Sequence, residues 1–289
     1  MDATNVQTQT RPFSLGVYLL IVFGLSWPFQ IVSAIWAAEL LPIYTLNSLS
    51  MIMVTVGTLI AGRYVFGDGF AQAGWSWGKA RHYLAVIGLV VLLWIVPTLA
   101  SLIFGHTGLP GSLTGRQIAW VCVLLFVTFI PGFGEEFGWR GYMLPHLARR
   151  MTARKAVFLH AVIWWIWHWP ILIGAAVHAS IHGTETSDTP VGLSVALSIA
   201  TVLLMGAIPA IMHGVVFAYI WSRSRSLAVA TVYHGAYDGV RDSLGITIGL
   251  GSLATTWASG VLSILGAIFL WKGKWTNIEK PGTPKEDET

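Results

Sequence analysis

Pro131-Gly132-Phe133-Gly134-Glu135-Glu136-Phe137-Gly138-Trp139-Arg140 decides the fold of this chain, because it sets two adjacent carboxylates and an arginine inside a long apolar run. An ionisable side chain at the centre of a bilayer costs at least ~2.5–3.5 kcal/mol on insertion scales, so one found there has a partner or a task. Two neighbouring carboxylates also resist joint ionisation. A pair of this kind, held out of water, points to proton-transfer chemistry.

The run is one of many. Of 289 residues, 55% are hydrophobic and only 10% are charged, and the mean hydropathy is +0.67. A soluble domain carries roughly 25% charged residues. The chain therefore reads as an all-α polytopic membrane protein. Its 15 tryptophans and 8 tyrosines suit aromatic belts at two membrane interfaces. The net charge of +4 calls for no nucleic-acid partner, since cytoplasmic loops collect Lys and Arg. Cys122 stands alone, which excludes an intrachain disulfide or a cysteine metal cage.

Windows of about 20 apolar residues give about eight spans, near 13–37, 43–65, 82–104, 118–146, 156–178, 191–221, 226–242 and 246–271. The first reads as a retained helix. A kink or short break is expected at Pro131-Gly132 and at Pro209. Residues 1–289 read as a single membrane domain with polar tails at 1–12 and 274–289.

With the N-terminus inside, 14 of the 17 basic residues fall on inside segments. Arg116 and Arg241 fall in outside loops, as do the acidic Glu39, Glu185 and Asp188. This obeys the positive-inside rule and puts both termini in the cytoplasm. Counted from the cytoplasmic ends at ~1.5 Å per residue, Glu135 lies ~16 Å deep, His168 ~18 Å and His234 ~12 Å. Three polar groups on three helices share one level.

Glu136 and Arg140, four apart, occupy one helix face and can pair. Glu135 lies about 100° round the helix and stays free for another partner. The glycines at 132, 134, 138 and 141 permit close approach along this face. His168 sits within Trp164-Trp165-Ile166-Trp167-His168-Trp169-Pro170, and His234 is four residues before Asp238, which can orient its ring. His160 and His213 read as structural. His106, His178 and His182 fall in or near outside loops. Trp139 and Tyr142 read as packing aromatics.

Three chemistries suit a Glu and two His at one depth. They can activate a water and hold an oxyanion, bind a zinc that generates hydroxide, or relay protons in a transporter. The helical His-Glu-x-x-His signature is absent.

Together Glu135-Glu136-x-x-x-Arg140, Trp164-x-x-x-His168 and His234-x-x-x-Asp238 resemble the CPBP family of intramembrane proteases, which includes type II CAAX prenyl endopeptidases and bacterial Abi proteins. The resemblance covers residues 118–242, the protease core. It implies an eight-helix fold with a conical cavity open to the cytosol and an integral location in a bacterial cytoplasmic membrane. By position it implies Glu135 as general base, His168 as its partner on water, His234 and Asp238 as the oxyanion hole, and Glu136 with Arg140 as a supporting ion pair. No metal or other cofactor is expected, and the implied partner is a membrane-anchored peptide or protein, prenylated or bacteriocin-like. Two positions depart from the family pattern: Trp164 replaces the usual Phe, and Asp238 replaces a frequent Asn. An ionised aspartate cannot donate to an oxyanion, so Asp238 must be protonated or must orient His234. The alternatives are a non-catalytic, immunity-type membrane protein and a zinc-dependent version of the protease. A transporter is disfavoured because no inverted repeat of broken helices is apparent.

Overall fold

The computed structural model describes residues 11–36, 40–105, 112–183, 190–249, 252–275 and 278. Glu39, His106, Glu185, Asp188 and most of both tails lie outside the described residues, as does the side chain of His182. Helices form nearly all of what is described, and no strand occurs among the described residues.

α1 (Leu15–Trp36) and α2 (Leu40–Ile60) form an antiparallel pair, and α2 ends in a π-helical turn, Ala61–Val65. α3 (Ala80–Val90) runs through a second π turn, Val91–Ile95, into α4 (Val96–Ile103). α5 (Gly115–Val127), α6 (Phe129–Glu136), a third π turn (Phe137–Met143) and α7 (Leu144–Ala148) form one bent rod. α8 (Ala153–Trp167) and α9 (Trp169–Gly183) meet at 44°. α10 (Val191–Ser224), α11 (Leu227–Thr247) and α12 (Ser252–Lys272) complete the bundle.

Six of these rods are long and apolar enough to cross a membrane among the described residues, or seven when α8 and α9 count as one bent span. α11 corresponds to the sequence span 226–242 and has the length. Its Asp238, Arg241 and Asp242 keep it out of that count. The outer surface is apolar: Leu20, Leu84, Leu204 and Ile264 are exposed, whereas Glu135, Glu136, Arg140 and His234 are buried. This inside-out distribution suits a bilayer, where charge must be satisfied within the protein.

The expected break at Pro131 falls at Thr128, between α5 and α6. Proline lacks an N–H, so the carbonyl of Val127 loses its helical donor and the helical ladder is interrupted there. Pro209 has a smaller effect, for α10 passes through it as one 34-residue helix. At the C-terminal end, Trp275 and Ile278 are buried against the core although they belong to the stretch read as a polar tail.

Candidate active site

α6 is held between α2 and α11 at contact distances that only glycine permits. A Cβ on Gly134 would stand 2.8 Å from the Met51 carbonyl oxygen, and one on Gly235 would stand 2.8 Å from the Phe129 ring. The Thr128 hydroxyl adds a link, lying 2.6 Å from the Leu124 carbonyl oxygen and 2.9 Å from that of Gly235. Immediately after Glu136 the rod widens into its π turn, a distortion that clusters at functional sites.

Arg140 Nη1 donates to Glu136 Oε1 at 2.9 Å, with both side chains fully buried. The same oxygen accepts from His234 Nδ1 at 2.8 Å. Glu136 therefore does more than neutralise its arginine: it also fixes the ring of His234 on α11. The guanidinium carbon of Arg140 lies 4.2 Å from the centre of the Phe217 ring and 5.0 Å from that of Trp164, so two π faces share its charge.

Glu135 points elsewhere, as the helical phase predicts. Its Oε2 accepts the indole N–H of Trp164 at 2.6 Å, and its other oxygen is left to a cavity. His168 closes α8 at the bend, with Nδ1 2.7 Å from the Trp164 carbonyl. A carbonyl only accepts, so Nδ1 carries the proton, and in the neutral ring Nε2 is a bare acceptor. The bend is held from α1, where Trp27 Nε1 donates to the Trp167 carbonyl at 3.0 Å and Ser26 accepts from Trp167 Nε1 at 2.7 Å.

Glu135, His168, His234 and Asp238 line one cavity of about 300 Å3, walled by Trp164 and Phe217. The groups that share a depth in the sequence thus share a space in the fold. Two further residues join them. Arg241, placed by hydropathy in an outside loop, belongs to α11 and lines the cavity. Its Nη1 is 3.0 Å from Asp238, and its Nε donates to Asp242 at 2.7 Å. His213, read as structural for want of a partner at helical spacing, also lines the cavity and meets the Tyr233 hydroxyl at 3.0 Å. His160 is buried away from the lining.

Asp238 lies 3.0 Å from Arg241 Nη1 and 3.4 Å from His234 Nε2. With Nδ1 committed to Glu136, the Nε2 edge of His234 is the one presented to the cavity.

Among the described residues no three His, Cys, Asp or Glu side chains are grouped so as to hold a metal ion.

A bundle of apolar helices that gathers a buried carboxylate and two histidines around one cavity defines a multi-pass membrane protein with a polar site among its helices. Residues 117–240 match the family described as Rce1-like, the type II CAAX prenyl endopeptidases. The chain is also similar to CAAX prenyl protease 2 of Methanococcus maripaludis, at 25% identity over 160 residues, 55% of this chain and 53% of the relative. The chain thus aligns with about half the length of this curated relative.

Proposed function

We propose that the protein is an intramembrane endopeptidase that uses a glutamate-activated water to cut a membrane-anchored peptide. The observation that carries this reading is the common cavity: the free oxygen of Glu135 and the unprotonated edge of His168 face it from one side and His234 from another. The family's name for its members, and that of the archaeal relative, support a peptide bond as the target.

The chemistry balances with the residues present. A water held between Glu135 and His168 Nε2 loses a proton to Glu135 as its oxygen adds to the peptide carbonyl carbon. The carbonyl oxygen takes the negative charge and is met by His234 Nε2–H in the doubly protonated ring. The C–N bond then breaks as Glu135 returns the proton to the departing nitrogen, giving a carboxylate and an amine. Trp164 holds Glu135 in place through the indole N–H. Glu136 fixes His234 from behind, and the Asp238 carboxylate 3.4 Å from Nε2 favours the doubly protonated ring. No step needs a metal or another cofactor.

The substrate is a peptide that brings its own membrane anchor, because the site sits within a bundle whose outer face is apolar. The distribution of basic residues supports an opening toward the cytoplasm. Glu135→Ala, His168→Ala and His234→Ala, purified in detergent and returned to vesicles, should each abolish cleavage of a lipid-anchored reporter peptide while still unfolding cooperatively. If wild type cuts no anchored peptide, or Glu135→Ala cuts equally well, the proteolytic reading fails and a non-catalytic peptide-binding role takes its place.

A further inference from the structure

Outside the cavity lining, residues 66–79 join the π turn after α2 to α3 and are pinned onto the α10–α11 junction. Leu227 N–H donates to the Gly74 carbonyl at 2.9 Å, Ser76 Oγ to that of Arg225 at 2.7 Å, and Trp221 Nε1 to that of Ala73 at 3.1 Å. Gly78 has φ +73°, and a Cβ there would stand 2.7 Å from Val229. The segment is therefore held tightly, and what it displays is displayed by construction.

It displays two indole rings. Trp75 is 60% exposed and Trp77 83% exposed. Between them and α11 runs an apolar groove of about 470 Å3, floored by Leu227, Ala228 and Val232 and walled by Phe133. At its rim the exposed side chains are basic. Lys79, Arg81 and Arg223 are exposed; the first two follow Trp77 within four residues, and Arg223 precedes Arg225, whose carbonyl Ser76 holds. The one acid in residues 66–79, Asp68, is engaged by the Tyr142 hydroxyl at 2.8 Å and by His146 Nε2 at 2.7 Å. Exposed indoles beside basic side chains mark the level at which a membrane protein meets lipid headgroups.

We propose that this face binds one anionic phospholipid, with its headgroup phosphate on Lys79, Arg81 and Arg223 and an acyl chain in the groove beneath Trp75 and Trp77. A cationic rim beside an apolar slot complements a phosphate that carries a hydrocarbon chain, whereas a free anion would leave the slot unfilled. The proposal is independent of the proteolytic reading and is tested without any substrate.

The full chain in detergent is mixed with equimolar phosphatidylglycerol and phosphatidylcholine of identical acyl chains, and bound lipid is counted by native mass spectrometry. Wild type should retain phosphatidylglycerol about tenfold over phosphatidylcholine, and the triple variant Lys79→Gln/Arg81→Gln/Arg223→Gln should bring that ratio near one. Ala228→Trp, which fills the groove and leaves the cations in place, should lower retention of phosphatidylglycerol about tenfold. It also keeps the proposal testable if the triple variant does not fold. Arg116→Gln, on the opposite end of the bundle, should match wild type. Equal retention of the two lipids by wild type, an unchanged ratio in the triple variant, or equal occupancy by inorganic phosphate would each overturn the proposal. So would selective lipid uptake that appears only after residues 279–289 are removed, since Glu286, Asp287 and Glu288 would then be the native occupant.

Discussion

Removing Glu136 should unfold the protein far more readily than removing Glu135, although the two are neighbours and equally buried. Glu136 is fully buried and accepts two hydrogen bonds from cationic or potentially cationic groups, at 2.9 Å from Arg140 and 2.8 Å from His234. Arg140 is fully buried as well, and its Nε and Nη2 find no other acceptor among the described residues. Taking away the carboxylate leaves an uncompensated guanidinium in the core, and breaking a buried pair in this way costs about 3–5 kcal/mol. Glu135 makes one side-chain hydrogen bond, with an indole. Glu135→Gln keeps an acceptor there, removes a charge from the cavity wall and should cost no more than about 1 kcal/mol. Unfolding of the purified variants in lipid bicelles, followed by tryptophan fluorescence, gives both values. Glu136→Gln should fall about 3 kcal/mol below wild type, and Glu135→Gln should stay near it while losing all cleavage. If Glu136→Gln is as stable as wild type, or if Glu135→Gln is the less stable of the two, the division of labour between them is wrong.

Trp164→Phe keeps the ring over Arg140 but deletes the donor to Glu135. Cleavage should drop about tenfold to a hundredfold, and stability by about 1–2 kcal/mol, measured as kcat on the reporter and by bicelle unfolding. Gly134→Ala drives a Cβ to 2.8 Å from the Met51 carbonyl and should cost about 1–3 kcal/mol, whereas Gly24→Ala, with nothing within 4 Å, should be silent. Asp238→Asn keeps the shape beside His234 and replaces a pure acceptor with a group that can donate. Cleavage should stay within about tenfold of wild type, while Asp238→Ala should lose it, with kcat/KM as the readout. Metal analysis of active protein should find less than stoichiometric zinc, and incubation with a chelator should leave kcat unchanged; stoichiometric zinc whose removal abolishes cleavage would restore the metal reading.

Local geometry on a single helix was legible from the sequence, and contact between helices was not. The four-residue spacing of Glu136 and Arg140 foretold their ion pair, and the 100° offset of Glu135 foretold its separate direction. The bond between His234 and Glu136 joins residues 98 apart, and no periodicity reports it. His213 looked isolated because its partner Tyr233 is on another helix. Arg241 was assigned to a loop because hydropathy equates charge with water; here the charge is neutralised by Asp238 and Asp242 on the same helix, so α11 continues past it. The bend at His168 was not among the breaks expected, and the indole of Trp27 that secures it comes from α1, outside the family match. Depth alone crossed between helices, because the bilayer imposes one common axis on every span, and it brought Glu135, His168 and His234 to one cavity.

Adjacency itself explains why the two glutamates can coexist out of water. Side by side on a strand they would face opposite ways, and four apart on a helix they would share one face and repel. One step along a helix sends them about 100° apart, so that each meets a different wall of the same bundle. Glu136 meets cations on two elements, which offset the cost of burying its charge. Glu135 meets a neutral indole donor and an open space, so its second oxygen stays free for water. Glu136 does not line the cavity, so it cannot reach a water held there. The paired neighbour instead holds His234 in position across the cavity from the one that is free to react.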